Sequence, residues 1–180
     1  YTFIFGYEES YGYLRGTHAR DKDAVVASML FAEMVCYYNY KNITVFKRLN
    51  SIYEKFGYAA EKTVSIKYDG VNAMAEMNAV VDSLKGKYVP KFAGYTVREV
   101  RDYSTATAIT CDEKVVPVDS EKTNAVYYEL ENGMFICVRP SGTEPKLKIY
   151  YFAMAKDEIN AKKALENLIS AFNETISKKN

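Results

Sequence analysis

The sequence predicts an α+β fold: a C-terminal antiparallel sheet with two helices on one face, preceded by the tail of an α/β domain. Three observations carry that expectation. Beyond residue 58, strand-like alternation and helix-like spacing follow each other as strand, helix, a run of strands, helix. Two of those strands are joined by the tight turn Glu131-Asn132-Gly133, a hairpin that pairs them antiparallel. Residues 1 to 57 differ, reading as a short strand, a polar glycine-containing loop and two helices. The expected organisation is therefore residues 1–57 as the end of an α/β unit and 58–180 as the α+β unit, the boundary lying between Gly57 and Lys62.

Thr2-Phe3-Ile4-Phe5 reads as a strand already in progress, and a loop follows from Gly6 to Arg20. Asp21 or Asp23 can cap a helix running to about Tyr40, with Val26, Met29, Leu30, Met34 and Tyr37 at helical spacing. Apolar residues wrap much of its circumference, which predicts burial on more than one side. A second helix, capped near Asn42 or Thr44, carries the stripe Val45, Leu49, Ile52, Tyr53 and Phe56, and Gly57 closes it. Residues 63 to 68 read as a strand. Asp69 is expected to cap a helix with Val71, Met74, Val81 and Leu84 inward, closed by Gly86. Strands are expected over residues 95 to 103, 124 to 130 and 134 to 139. The last two are joined by Glu131-Asn132-Gly133, whose Asn-Gly step favours a type I′ turn. Residues 146 to 152 alternate, with Leu147, Ile149 and Tyr151 on one face and Lys146, Lys148 and Tyr150 on the other. Asp157 caps a final helix striped by Leu165, Leu168, Ile169, Phe172 and Ile176.

The 180 residues are 48% hydrophobic and 26% charged, the composition of a globular protein and too apolar for disorder. A net charge of +1 gives no bulk electrostatic reason to bind nucleic acid or an acidic membrane surface, so an anion must be captured locally. The apolar stretch of residues 24 to 32, interrupted by Ser28, is far too short to span a bilayer. Cys36, Cys111 and Cys137 form no C-x-x-C pair and read as buried reduced thiols, which fits a cytoplasmic location. Tyr1 is not a methionine, and with the strand already under way we expect a piece of something longer.

The most informative segment is Arg139-Pro140-Ser141-Gly142-Thr143-Glu144-Pro145-Lys146, set between two strands. Arg139 can form a bidentate fork, Ser141 and Thr143 carry hydroxyl donors, and Gly142 can turn backbone N–H groups inward as an anion nest. Two prolines stiffen the loop. By residue type alone, a long hairpin connection of ordinary turn residues is an equal reading. Near the start, Gly6-Tyr7-Glu8-Glu9-Ser10-Tyr11-Gly12 sets an acidic pair and a serine in a loop, and Arg20-Asp21-Lys22-Asp23 follows.

In this order and spacing, the Arg139 segment and its alternating strand resemble the phosphate-binding loop of the phosphoglucomutase/phosphomannomutase (α-D-phosphohexomutase) family. The Gly6–Gly12 segment resembles that family's sugar-binding loop. The resemblance covers essentially the whole chain, as the end of the family's third domain and all of its fourth. It implies part of an isomerase of carbohydrate metabolism that interconverts hexose 1-phosphate and hexose 6-phosphate. In that scheme an upstream phosphoserine gives its phosphoryl group to the sugar, and the bisphosphate turns around and returns the other phosphate. Magnesium is implied, held by upstream residues, with the hexose bisphosphate as intermediate and activator and the N-terminal domains of the same chain as partners.

Residue by residue, the resemblance assigns Glu8 and Ser10 to two adjacent sugar hydroxyls. Arg139, Ser141, Gly142 and Thr143 take the phosphate that is not being transferred, with Lys146 and Lys148 adding field. Lys22 matches a charge stabiliser or proton carrier, beside the plainer reading of an exposed lysine opening a helix. His18 has no clear counterpart, and Arg15 and Arg20 are nearby cations without an assigned role. Asp69-Gly70 lacks the further carboxylates of a magnesium loop and reads as a helix cap. No serine stands in a T-x-S-H setting and no D-G-D-x-D triplet occurs, so no catalytic nucleophile or metal site is expected in these residues, which alone should turn nothing over. Phosphopentomutase and phosphoglucosamine mutase are sibling readings. A non-catalytic anion- or phosphopeptide-binding module is the rival from another class.

Overall fold

The computed structural model describes residues 2–8 and 11–177. The chain divides into two compact units, Tyr1–Lys55 and Phe56–Asn180. The first holds β1 (Gly6–Tyr7) and β2 (Tyr13–Leu14), paired antiparallel, then α1 (Ala24–Tyr40) and most of α2 (Val45–Phe56). Asp23 caps α1 by accepting from the Val25 and Val26 N–H groups, and the Thr44 hydroxyl accepts from the Lys47 N–H at the start of α2. Gly57 follows α2 at φ 98°, the left-handed close of a helix.

Two expectations fail in this unit. Residues 2 to 5 form no strand, because strand geometry needs a hydrogen-bonded neighbour and none pairs with them among the described residues. No described residue of α1 is buried: Val25 is 71% and Met29 66% exposed. Within its own unit α1 packs on β2, a strand of two residues, which is too little surface to cover an apolar helix.

The second unit is the α+β fold. Its strands are β3 (Tyr58–Lys67), β4 (Lys91–Phe92), β5 (Tyr95–Asp102), β6 (Thr107–Thr110), β7 (Val115–Pro117), β8 (Val126–Leu130), β9 (Phe135–Pro140) and β10 (Lys146–Ala155). Its helices are α3 (Ala73–Leu84) and α4 (Glu158–Ser177). The sheet runs β3-β10-β9-β8-β5-β6-β7, with β4 paired to β5, and every pairing is antiparallel. Alternation sends Leu147, Ile149 and Tyr151 of β10 and Ile136 and Val138 of β9 to one face. There Met77, Val80 and Val81 of α3 and Leu168, Phe172 and Ile176 of α4 meet them, each large side chain worth about 1.5–3 kcal/mol of burial. Phe172 sets its ring edge-on to Phe92 and Tyr128 at 5.5 and 5.8 Å.

Asn132 and Gly133 both have positive φ, 59° and 72°, as the expected turn requires, and the Met134 N–H donates to the Glu131 carbonyl at 3.3 Å. The Asp69 cap is corrected: α3 begins at Ala73 behind Asn72, whose side chain makes no capping bond. The later start rotates the stripe, so Ala73, Met77, Val80, Val81 and Leu84 are buried while Val71 and Met74 face solvent. The cysteine expectation is also corrected. All three are free, but Cys36 and Cys111 are exposed and Cys137 is half-buried on the open face of the sheet. Among the described residues no helix is long and apolar enough to cross a membrane.

Candidate functional site

In the first unit the loop between β1 and β2 is closed by the Glu8 N–H donating to the Gly12 carbonyl at 2.9 Å. The Asp23 N–H donates to the Tyr13 carbonyl at 2.8 Å, which ties the start of α1 to the same ribbon. This brings Lys22 over the loop, its Nζ 3.7 Å from Glu8 Oε2 and 2.9 Å from Asp21 Oδ1. Gly12 is buried beneath them. A Cβ there would stand 2.0 Å from Lys22 Cδ and 2.7 Å from Glu8 Oε1, so only glycine lets the two side chains cross. Hydrogen bonding to Asp21, then the Asp21 and Glu8 charges, raise the Lys22 pKa, and the same hydrogen bond lowers that of Asp21.

His18 is engaged elsewhere: its Nε2 lies 2.7 Å from Asp23 Oδ2, joining the return of the loop to the α1 cap. The His18 hydrogen bond, then the Val26 N–H, hold the Asp23 carboxyl below its usual range. Arg15 and Arg20 are exposed. Ser10 and Glu9 lie outside the described residues.

In the second unit the Arg139 segment joins β9 to β10. The Ser141 N–H donates to the Lys146 carbonyl at 2.8 Å, and the Lys146 N–H to the Glu144 carbonyl at 2.7 Å. The Thr143 N–H approaches Ser141 Oγ at 3.5 Å, a loose contact. Arg139 is exposed and has no carboxylate partner among the described residues, whereas Lys146 Nζ stands 3.9 Å from Glu144 Oε2. The nest expected at Gly142 is corrected. Gly142 is not at positive φ, so the alternating backbone that forms a nest is absent there. A Cβ built on Gly142 meets nothing within 4 Å, so its surroundings are open space.

The structure thus gathers Glu8 and Lys22 in one unit, and Arg139, Ser141, Gly142, Thr143 and Lys146 in the other. Reading the sequence alone missed the role of Gly12, whose need shows only when Lys22 is folded back over it. Among the described residues no three His, Cys, Asp or Glu side chains converge as metal ligands.

Comparison with known proteins meets this architecture at both ends. The model of "Phosphoglucomutase/phosphomannomutase, alpha/beta/alpha domain III" matches residues 1–56, and that of the C-terminal domain of the same family matches residues 76–167. The chain belongs to the phosphoglucomutase/phosphomannomutase family. It is 36% identical over 151 residues to glucose 1,6-bisphosphate synthase from Homo sapiens, covering 82% of this chain and 24% of that protein. It is 33% identical over 150 residues to the phosphoglucomutase of Staphylococcus haemolyticus, covering 83% of this chain and 27% of that one. The chain therefore spans about a quarter of the length of these curated relatives. Among solved structures it resembles the open form of the exocytosis-sensitive phosphoprotein pp63/parafusin, a phosphoglucomutase from Paramecium. The TM-score is 0.57 at 21% identity, over 95% of this chain and 29% of that one, a likeness of fold.

Proposed function

We propose that this chain is the substrate-gripping part of an isomerase that interconverts hexose 1-phosphate and hexose 6-phosphate through a phosphoserine and a bisphosphate intermediate. Residues 1–57 belong to the unit that reads the sugar, and residues 58–180 form the unit that grips the phosphate not being transferred. Glu8 accepts from two neighbouring sugar hydroxyls, with Ser10 donating or accepting beside it. Lys22 serves as a charge stabiliser or proton carrier beside them, its pKa raised first by hydrogen bonding to Asp21 and then by the Asp21 and Glu8 charges. Arg139 supplies a bidentate fork to the phosphate, Ser141 and Thr143 add hydroxyl donors, Gly142 leaves room, and Lys146 adds field. The nucleophile and the magnesium ligands belong to upstream residues of the same cytoplasmic enzyme.

The observation that carries this reading is Arg139: an exposed guanidinium without a carboxylate partner, beside two hydroxyl side chains, in a loop pinned between paired strands. A phosphopeptide-binding module would need that loop but would have no use for a carboxylate and an ammonium crossed over a buried glycine. A second reading comes from the relative named glucose 1,6-bisphosphate synthase, in which the same grip would serve release of the bisphosphate. Product analysis on the full-length protein separates the two.

The direct test of the grip is an NMR titration of the 180-residue chain with phosphate. Shifts should centre on the amides of Ser141, Gly142 and Thr143, with a Kd on the order of millimolar, about 4 kcal/mol, because the sugar contacts are absent. Arg139→Lys should weaken binding without abolishing it, because the charge stays and the fork is lost. Shifts centred elsewhere, or unchanged affinity in that variant, would remove the assignment.

A further inference from the structure

The open face of the sheet carries its charges in two contrasting ways. Around Arg101 they are balanced: its guanidinium meets the carboxylates of both Glu99 and Glu129, and it lies over the Tyr127 ring at 5.0 Å. At the end of the same face nearest the Arg139 loop they are not. The register sets Lys148 between Arg139 on β9 and Ser65 on β3, and sets Lys146 directly opposite Lys67. Val64 and Ile66 pack toward the helices, so Ser65 and Lys67 point to the face that carries Lys146 and Lys148. Arg139, Lys148, Lys146 and Lys67 therefore share one corner, and Glu144 is the one carboxylate paired there among the described residues.

Like charges directly opposite on neighbouring strands stand about 5 Å apart at Cβ and destabilise the sheet. Nothing in the packing of this corner requires them, since all four side chains stand on the face away from the helices. The end of β3 is also fastened to the loop, because the Tyr68 N–H donates to the Pro145 carbonyl at 2.9 Å. Lys67 and the loop therefore hold a fixed separation.

We propose that Lys67 is a further anion-binding residue of the phosphate site, a cation supplied by a strand far from the loop in sequence. The inference rests on the reading of the Arg139 loop as an anion site. A phosphate dianion in the corner relieves the repulsion between Lys67 and Lys146 while gaining attraction to both. The site is then a basic corner of three strands, and β3 sets part of its field.

Two readouts test it on the 180-residue chain at low ionic strength. In phosphate titrations followed by NMR, Lys67→Gln should weaken binding about three- to fivefold, the effect of one charge removed several ångströms from a dianion. Lys67→Arg should bind within about twofold of the unaltered chain. Lys62→Gln, which removes a charge from the same strand where alternation points it to the helix side, should leave the affinity unchanged. In thermal melts without phosphate, Lys67→Gln should raise Tm, and added phosphate should raise it less than in the unaltered chain. Equal affinities for Lys67→Gln and the unaltered chain, or an equal loss in Lys62→Gln, would overturn the proposal. If Arg139→Lys weakens binding and Lys67→Gln does not, the loop assignment stands and Lys67 alone is withdrawn. If phosphate shifts no amide of the loop in the unaltered chain, both fall together.

Discussion

Cys137 sits on β9 opposite Tyr127 and Tyr150 in the neighbouring strands, half-buried between their side chains. Burial pushes its thiol up to about 11, and the nearby Arg139 charge offsets only part of that. The proton is held more tightly folded than unfolded, where an ordinary thiol titrates near about 8.5. The stability linked to Cys137 is therefore complete below that value and is lost as pH rises towards about 11. At pH 8 the thiolate, the reactive form, is scarce at this position. Exposed Cys36 and Cys111 have no such shelter. A disulfide reagent at pH 8 should thus find two fast thiols in the native chain, a third reacting at least tenfold more slowly, and three equal ones in denaturant. Three equally fast thiols in the native chain would show that Cys137 is not sheltered. No local pattern in the sequence separates Cys137 from the other two, because its shelter comes from strands paired across the sheet.

At the scale of elements, long periodic segments were legible in the sequence and short ones were not. β8, β9, β10 and α4 follow from alternation and spacing, and the Asn132-Gly133 turn from the two residues that tolerate positive φ. β4, β6 and β7 have two to four residues each, too few to set a period, and they exist only through pairing with neighbours. The Arg139 and Gly6–Gly12 loop segments stood out in the sequence through their resemblance to the family's motifs, each contiguous along the chain. The corner formed with Lys67 did not, since register is a property of paired strands. Gly12 allows an element-scale prediction. In Gly12→Ala the new Cβ meets the flexible stem of Lys22 and the Glu8 carboxylate, not rigid backbone, so the side chains give way and the fold holds. The Tm should change by no more than a few degrees. In the full-length enzyme kcat/KM should fall by at least tenfold, because Lys22 and Glu8 no longer cross. Unchanged kcat/KM would mean that this crossing has no part in activity; a Tm collapse would mean that Gly12 serves the fold.

Across the whole molecule the buried hydrophobic residues are unevenly shared. Among the described residues the core begins at Ala73 and ends at Ile176, all within the second unit. The first unit leaves Phe46 and Phe56 of α2 71% and 64% exposed, and it carries an open cavity of about 420 Å³ lined by Phe5, Tyr13, Leu30, Phe31 and Met34. Helices of this length draw most of their stability from packing an apolar face and little from propensity. Local opening in the first unit should therefore cost far less than global unfolding, while opening β8, β9 or β10 requires breaking the core. Native-state hydrogen exchange on the 180-residue chain tests this directly. Amides of α1 and α2 should exchange with protection factors at least a hundredfold lower than those of the central strands, and with little dependence on denaturant. In the full-length protein, if upstream residues cover that apolar surface, the same helical amides should gain protection while those of β8–β10 change little. Equal protection of both units in the isolated chain would show that the first is held by packing strong enough to make the chain one cooperative body.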